Sequence, residues 1–253
     1  MSSRIYALAQ QKGGVGKTTS TINLGAALAE LKYKVLLVDV DPQGALSAGL
    51  GIDAESLSET IYHVMTNRKL AITSVIIKTE VGCDIVPANI DLAAAEMNLV
   101  SEPGREQILK GKLKAVIDSY DYVLIDCPPS LGVLTLNALA AAKGVIVPVQ
   151  TQFFALRGLE LLFDTISKMQ ERINPELKVA GILPTLYDSR TTHSKEVLAT
   201  LQKKYPGQIL KTVIPQTVKL PDSAMAGFPI TLFNTNSPAA AAYRDLAKEI
   251  NAL

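Results

Sequence analysis

The chain has 253 residues, 48% of them hydrophobic and 19% charged, enough apolar material for one large domain or two small ones to fill a core. Lys and Arg number 25 against 24 Asp and Glu, so a net charge of +1 excludes whole-molecule attraction to nucleic acid and leaves only a local basic patch as a route to it. Apolar runs such as 138–142 and 145–149 stop far short of the roughly 20 residues a bilayer span requires. The first ten residues lack a signal-peptide pattern, so a cytoplasmic protein is expected.

Taken in chain order, short β-branched runs at 5–9, 35–38, 84–86, 122–125, 145–149 and 179–183 read as buried parallel strands. Between them, 19–31, 105–117, 134–142, 156–173, 195–203 and 239–250 carry apolar residues at three- and four-residue intervals, as crossover helices do. The alternation predicts an α/β fold, a mostly parallel twisted sheet with helices on both faces. No repeat, low-complexity tract or Pro/Gly/Ser linker cuts the chain, so residues 1–253 are expected to form a single domain. Residues 51–81 are weakly patterned and are expected to form a peripheral excursion. Cys83 and Cys127 lie far apart with no CxxC spacing, which fits buried thiols acting as small hydrophobes in a reducing compartment.

The strongest chemical signal is Gln11-Lys12-Gly13-Gly14-Val15-Gly16-Lys17-Thr18-Thr19, between the first strand and the first helix. Glycines let successive N–H groups turn toward an anion, the helix N-terminus adds partial positive charge, and Lys17 supplies an ammonium for terminal phosphates. Thr18 is expected to ligate magnesium. Asp126 ends an apolar strand, from which a carboxylate can hold a water of the same ion.

Lys12-Gly13-Gly14-Val15-Gly16-Lys17-Thr18 resembles the deviant Walker A motif of the ParA/Soj/MinD group of P-loop ATPases. The stretch 38–44 resembles the group's first switch, and 124–130 its Walker B strand and second switch. Residues 187–191 with 212–215 resemble the ParA/Soj branch specifically. The similarity spans nearly the whole chain.

The resemblance implies ATP and Mg2+ as cofactors, ATP hydrolysis, and a nucleotide bed of Lys12, Gly13, Gly14, Val15, Gly16, Lys17, Thr18 and Thr19. It places adenine near Pro184 and the loop Pro215, Gln216 and Thr217, and puts Asp39 near the metal shell beside Thr18 and Asp126. Cys127 occupies the position next to Asp126 where many ATPases carry a glutamate, so Asp41 is the expected catalytic carboxylate. Lys12 is implied to reach across an ATP-dependent homodimer to the partner's phosphates, the role an arginine finger plays elsewhere.

Between residues 190 and 219 the chain carries Arg190, Lys195, Lys203, Lys204, Lys211 and Lys219 against one acid, Glu196. Family resemblance turns this run into an expected surface for nonspecific DNA, with Arg190 and Lys219 at family DNA-contacting positions. It further implies a nucleoid-associated, membrane-free switch that positions a plasmid, chromosome or protein body through a ParB-like or other adaptor that stimulates hydrolysis. Gln216, the run 221–224 and Arg157 depart from the common ParA/Soj pattern and bear on adenine, DNA or partner contacts. Two alternatives share the loop. A MinD-like membrane ATPase needs a basic amphipathic C-terminal helix, whereas Arg244 and Lys248 are balanced by Asp245 and Glu249. A redox ATPase like nitrogenase iron protein needs cysteines placed to bridge a cluster between subunits.

Overall fold

The computed structural model describes residues 4–151 and 155–253, with side chains in the second segment from Gly158 onward. The departure at Arg157 therefore lies outside the described side chains. In chain order the elements are β1 (Arg4–Leu8), α1 (Lys17–Glu30), β2 (Val35–Asp39), α2 (Ala45–Ala48), α3 (Ile61–Thr66), β3 (Ile77–Lys78), β4 (Cys83–Val86) and α4 (Leu92–Asn98). They continue with α5 (Ile108–Leu113), β5 (Tyr122–Asp126), α6 (Val133–Ala141), β6 (Gly144–Gln150), α7 (Ala155–Arg172), β7 (Lys178–Thr185), α8 (Thr192–Lys204), α9 (Lys219–Met225), α10 (Ile230–Phe233) and α11 (Pro238–Asn251).

One sheet runs β3-β4-β2-β5-β1-β6-β7, parallel throughout except for the short antiparallel β3. Alternate residues of each inner strand supply opposite faces, so two apolar layers form. Tyr6, Leu8, Leu37 and Leu124 pack under α1 and α11, while Ala7, Val38, Ile125 and Val147 pack under the other crossover helices. The α/β expectation, helices on both faces, holds.

Two expected elements differ. Residues 51–81 are no peripheral excursion: Ile61, Val64, Met65, Ile72 and Val75 are all buried in the second layer, in helical pieces too short to show a period. The expected helix at 105–117 is broken into a turn, α5 and a second turn; Gly111 inside α5 and β-branched Val116 beyond it weaken the run. Beyond the sheet, residues 208–216 run parallel to β7 as an interrupted ribbon. Leu210 N donates to Ile182 O at 2.9 Å, Ile214 N to Pro184 O at 2.9 Å and Gln216 N to Tyr187 O at 2.9 Å.

Candidate active site

The register of β1, β5 and β2 puts Leu8, Asp126 and Asp39 side by side at the carboxyl ends of three adjacent strands, the end at which open α/β sheets bind ligands. The chain then turns through Gly13, Gly14 and Gly16 into α1. Gly14 has φ +72° and Gly16 φ +87°, left-handed values that a side chain tolerates poorly, so the turn depends on glycine. Thr185 Oγ1, at the end of β7, donates to Val15 O at 2.8 Å and pins the loop from the opposite strand. Gly16 caps α1 without a side chain, and the first turn of α1 carries no acid, so its N–H groups and dipole are left for an exogenous anion.

Lys17 is 6% exposed, and its Nζ donates to Lys12 O at 3.4 Å. Thr18 Oγ1 donates to Asp126 Oδ2 at 2.6 Å, and Thr21 Oγ1 to Asp126 Oδ1 at 3.1 Å. A hydroxyl and one carboxylate at a helix N-terminus form a hard oxygen set that suits magnesium completed by phosphate and water oxygens. Among the described residues no group of three or more His, Cys, Asp and Glu gathers as a dedicated cage.

Burial shapes the electrostatics. It pushes the Asp126 carboxyl up to about 7, against the hydrogen bond from Thr18 and the nearby Lys17 ammonium, which pull it down. Burial likewise lowers Lys17, with Asp126 opposing. Asp39 is raised well above the ordinary carboxylate range by burial and then by the Asp126 charge. A folded value above the unfolded one, near 4, means that Asp126 contributes its stability at low pH and loses it as pH rises through about 7. Asp126→Asn should therefore gain stability over wild type as pH climbs from 5 to 8 in chelator, by up to about 1.4 kcal/mol per pH unit. Thermal midpoints that stay parallel across that range would refute the assignment.

Asp41 lies on the turn after β2, 8% exposed, with Gln43 N donating to its Oδ1 at 3.0 Å. It lines a cavity of ≈ 340 Å³ together with Gly13, Gly14, Lys17, Thr18 and Pro129. Asp39 does not line it. Its Oδ1 accepts from Asp41 N at 3.1 Å, and its Oδ2 accepts from Ser47 N at 3.0 Å and Ser47 Oγ at 2.8 Å. Each Asp39 oxygen thus already accepts from the turn or from α2, which ties the Asp41 turn to the end of β2.

The far end of the cavity is apolar and is assembled from three distant segments: Leu186 after β7, Ile214, Thr217, Leu220 and Pro221 around the start of α9, and Tyr243 in α11. Of the four residues expected near adenine, Thr217 lines this end; Pro184, Pro215 and Gln216 stand behind it, in the β7 and ribbon backbone pairing. Leu186 and Tyr243 had no local sequence signal, whereas Thr185 could have been picked out as a strand-end residue. Lys12 is absent from the lining; its Nζ instead donates to Gln150 Oε1, at the end of β6, at 3.2 Å.

The basic run is less free in space than along the chain. Arg190 holds a two-pronged contact with Asp188 at 2.9 and 2.8 Å, Lys204 pairs with Glu160 at 2.5 Å and Lys219 with Asp222 at 3.3 Å. All three acids lie outside 190–219. The ammonium groups of Lys195, Lys203 and Lys211 have no partner among the described residues, although Lys211 N donates to Glu249 Oε1 at 2.6 Å. The stripe Ala239, Ala240, Tyr243, Leu246, Ala247 and Ile250 of α11 is buried beneath the sheet layer shared with α1, and Tyr243 OH lies 3.2 Å from Ser20 Oγ. That leaves no apolar face of α11 for a lipid surface. Cys83 and Cys127 are buried in opposite layers, so they cannot meet a common cluster at a surface.

Residues 3–179 match the AAA domain family. Chromosome-partitioning ATPase Soj of Treponema pallidum is 47% identical over 241 residues, 95% of this chain and 94% of that one. Sporulation initiation inhibitor protein Soj of Bacillus subtilis is 43% identical over 249 residues, covering 98% of each. The chain belongs to the ParA/Soj family of partitioning ATPases. The P-loop NTPase fold is shared by a Mycobacterium smegmatis protein described as cobyrinic acid a,c-diamide synthase and crystallised with ADP and magnesium. It is 44% identical with a TM-score of 0.87, over 97% of this chain and 93% of that one. No helix among the described residues is long and apolar enough to cross a membrane.

Proposed function

We propose that this ParA/Soj protein is an ATP-dependent switch: two copies clasp two Mg-ATP molecules, the dimer holds nonspecific DNA, and a partner that triggers hydrolysis releases it. The observation that carries the reading is the split between two lysines. Lys17 sits inside the cavity, while Lys12, five residues earlier, points out of it to Gln150. A second ammonium held outside its own cradle is useful to a neighbour's phosphates.

On this reading the N–H groups of 13–19 and Lys17 bind the phosphates, Thr18 and Asp126 hold magnesium, and Leu186, Thr217, Leu220 and Tyr243 cover the base. Magnesium would supply charge neutralisation at the β- and γ-phosphate oxygens. Asp41 orients the attacking water, and Asp39 with Ser47 keeps Asp41 in place. The basic run meets DNA phosphates; about three contacts per subunit make roughly six per dimer, a salt slope near −5 and about a 10³-fold loss of affinity between 50 and 200 mM salt. Arg190, Lys204 and Lys219 exchange an acid for a phosphate when DNA arrives. Cargo, whether plasmid, chromosome or protein body, follows the adaptor.

The test is DNA retention by purified protein with ATP, with ADP and without nucleotide. Retention is expected with ATP alone, and Lys12→Gln should bind ATP normally yet lose both the dimer in light scattering and the DNA. Equal retention in all three states, or an unaltered Lys12→Gln dimer, would sink the reading.

A further inference from the structure

The interrupted ribbon at 208–216 is anchored to β7 on either side of its break. Upstream, Ile182 N donates to Gln208 O at 2.7 Å and Leu210 N to Ile182 O at 2.9 Å, and Leu210 lies so close to the strand that a Cβ at Gly181 would stand 2.5 Å from its Cδ2. Downstream, Ile214 N donates to Pro184 O at 2.9 Å. Between these anchors the N–H groups of Lys211 and Thr212 go to α11 instead of β7. Glu249 receives both: its Oε1 accepts from Lys211 N at 2.6 Å and its Oε2 from Thr212 N at 2.9 Å. The contact uses the backbone of Lys211 and not its ammonium, so the carboxylate holds a stretch of chain and neutralises no cation.

Two N–H groups delivered to the two oxygens of one carboxylate form charge-assisted bonds and leave the ribbon little freedom to slide. The held stretch leads directly into the far end of the nucleotide cavity, where Ile214 and Thr217 are lining residues. The helix α11 supplies Tyr243 to that same end, six residues or about 9 Å of helix before Glu249. It is fixed on α1 by its buried stripe and by Tyr243 OH, 3.2 Å from Ser20 Oγ. Since α1 starts at Lys17, one stiff path runs from the phosphate loop through α1 and α11 to the ribbon. Glu249 is the last link of that path.

We infer that Glu249 is a positioning residue for the nucleobase: its carboxylate keeps Ile214 and Thr217 at the distance from Tyr243 and the phosphate loop at which a base joined to a triphosphate reaches them. Glu249 does not line the cavity and acts through the ribbon. The inference rests on the proposed reading of that cavity as an ATP site. Removing the carboxylate orphans two N–H donors and frees the chain between the two anchors. If the freed ribbon holds its base-ready arrangement about one-tenth of the time, apparent ATP affinity falls about tenfold, because a ligand that selects a minor state is weakened by that state's fraction. A ligand held by the phosphate loop alone is spared.

The probes are ATP and inorganic tripolyphosphate, each titrated with magnesium into the full chain by calorimetry. Glu249→Ala should weaken ATP about tenfold and leave tripolyphosphate within about twofold of wild type. Glu249→Gln keeps one acceptor oxygen, should fall between the two, and carries the test if alanine compromises folding. Glu176→Gln, at an exposed acid after α7, should change neither affinity. A group that only stabilises the fold would weaken both probes together or neither, and either result overturns the inference. So does unaltered hydrogen exchange at residues 211–212 in the nucleotide-free Glu249→Ala protein, since something else would then hold the ribbon. Failure of the wild-type chain to bind ATP overturns the proposed function and this inference with it, whereas wild-type binding that ignores both Glu249 variants overturns this inference alone.

Discussion

Lys17→Ala is expected to lower nucleotide affinity at least about 100-fold. Its ammonium lies in the cavity, nine-tenths buried and at the mouth of α1, where hydrogen bonds to charged groups are worth about 1.5–3 kcal/mol each. Two lost contacts to a phosphate chain already exceed the roughly 2.7 kcal/mol that a 100-fold change represents. The fold should not suffer in step. Burial lowers the Lys17 pKa, so the protein gains little from holding that charge without a ligand. Below pH 7, where Asp126 is largely protonated, the thermal midpoint of the nucleotide-free variant should stay within a few degrees of wild type. Calorimetric titration with ATP and a melt at pH 6 separate the two effects. Tight ATP binding by the variant would remove Lys17 from the phosphate site.

Asp41→Ala should leave ATP binding nearly intact and reduce turnover about 10³-fold, the middle of the range for a lost general base and about 4 kcal/mol of barrier. The carboxylate lines the cavity, whereas Asp39 and Asp126 lie outside its lining, with their oxygens turned to Asp41 N and Ser47 and to Thr18 and Thr21. The variant should therefore accumulate as an ATP-loaded dimer that stays on DNA. Asp41→Asn preserves the acceptor for Gln43 N and isolates the charge; it should be as slow as alanine. Normal phosphate release from either variant would assign the step to another group.

The parallel sheet and the phosphate loop are legible in sequence for one reason: both depend on residues close together in the chain. Runs such as 122–125 must be apolar on both faces, and a Gly-rich turn entering a helix with Lys-Thr-Thr has few other uses. What depends on distant partners is not legible. Ser47, eight residues after Asp39, decides that this carboxylate braces a turn. The base-covering end draws Leu186, Leu220 and Tyr243 from three separate elements. Glu160 on α7 and Asp188 and Asp222 just outside the basic run reach in to pair with half of its cations. Ile61, Val64 and Met65 looked unpatterned because a six-residue helix shows less than two turns of its period.

The interrupted ribbon at 208–216 has a consequence for how the protein behaves at high concentration. It occupies the outer hydrogen-bonding groups of β7 at Ile182 and Pro184 and of Tyr187 just beyond it, while the opposite rim ends in the two-residue antiparallel β3. Among the described residues neither rim offers a long bare template onto which another chain could add a strand. Folded molecules crowded together are thereby left little backbone with which to extend one another's sheets.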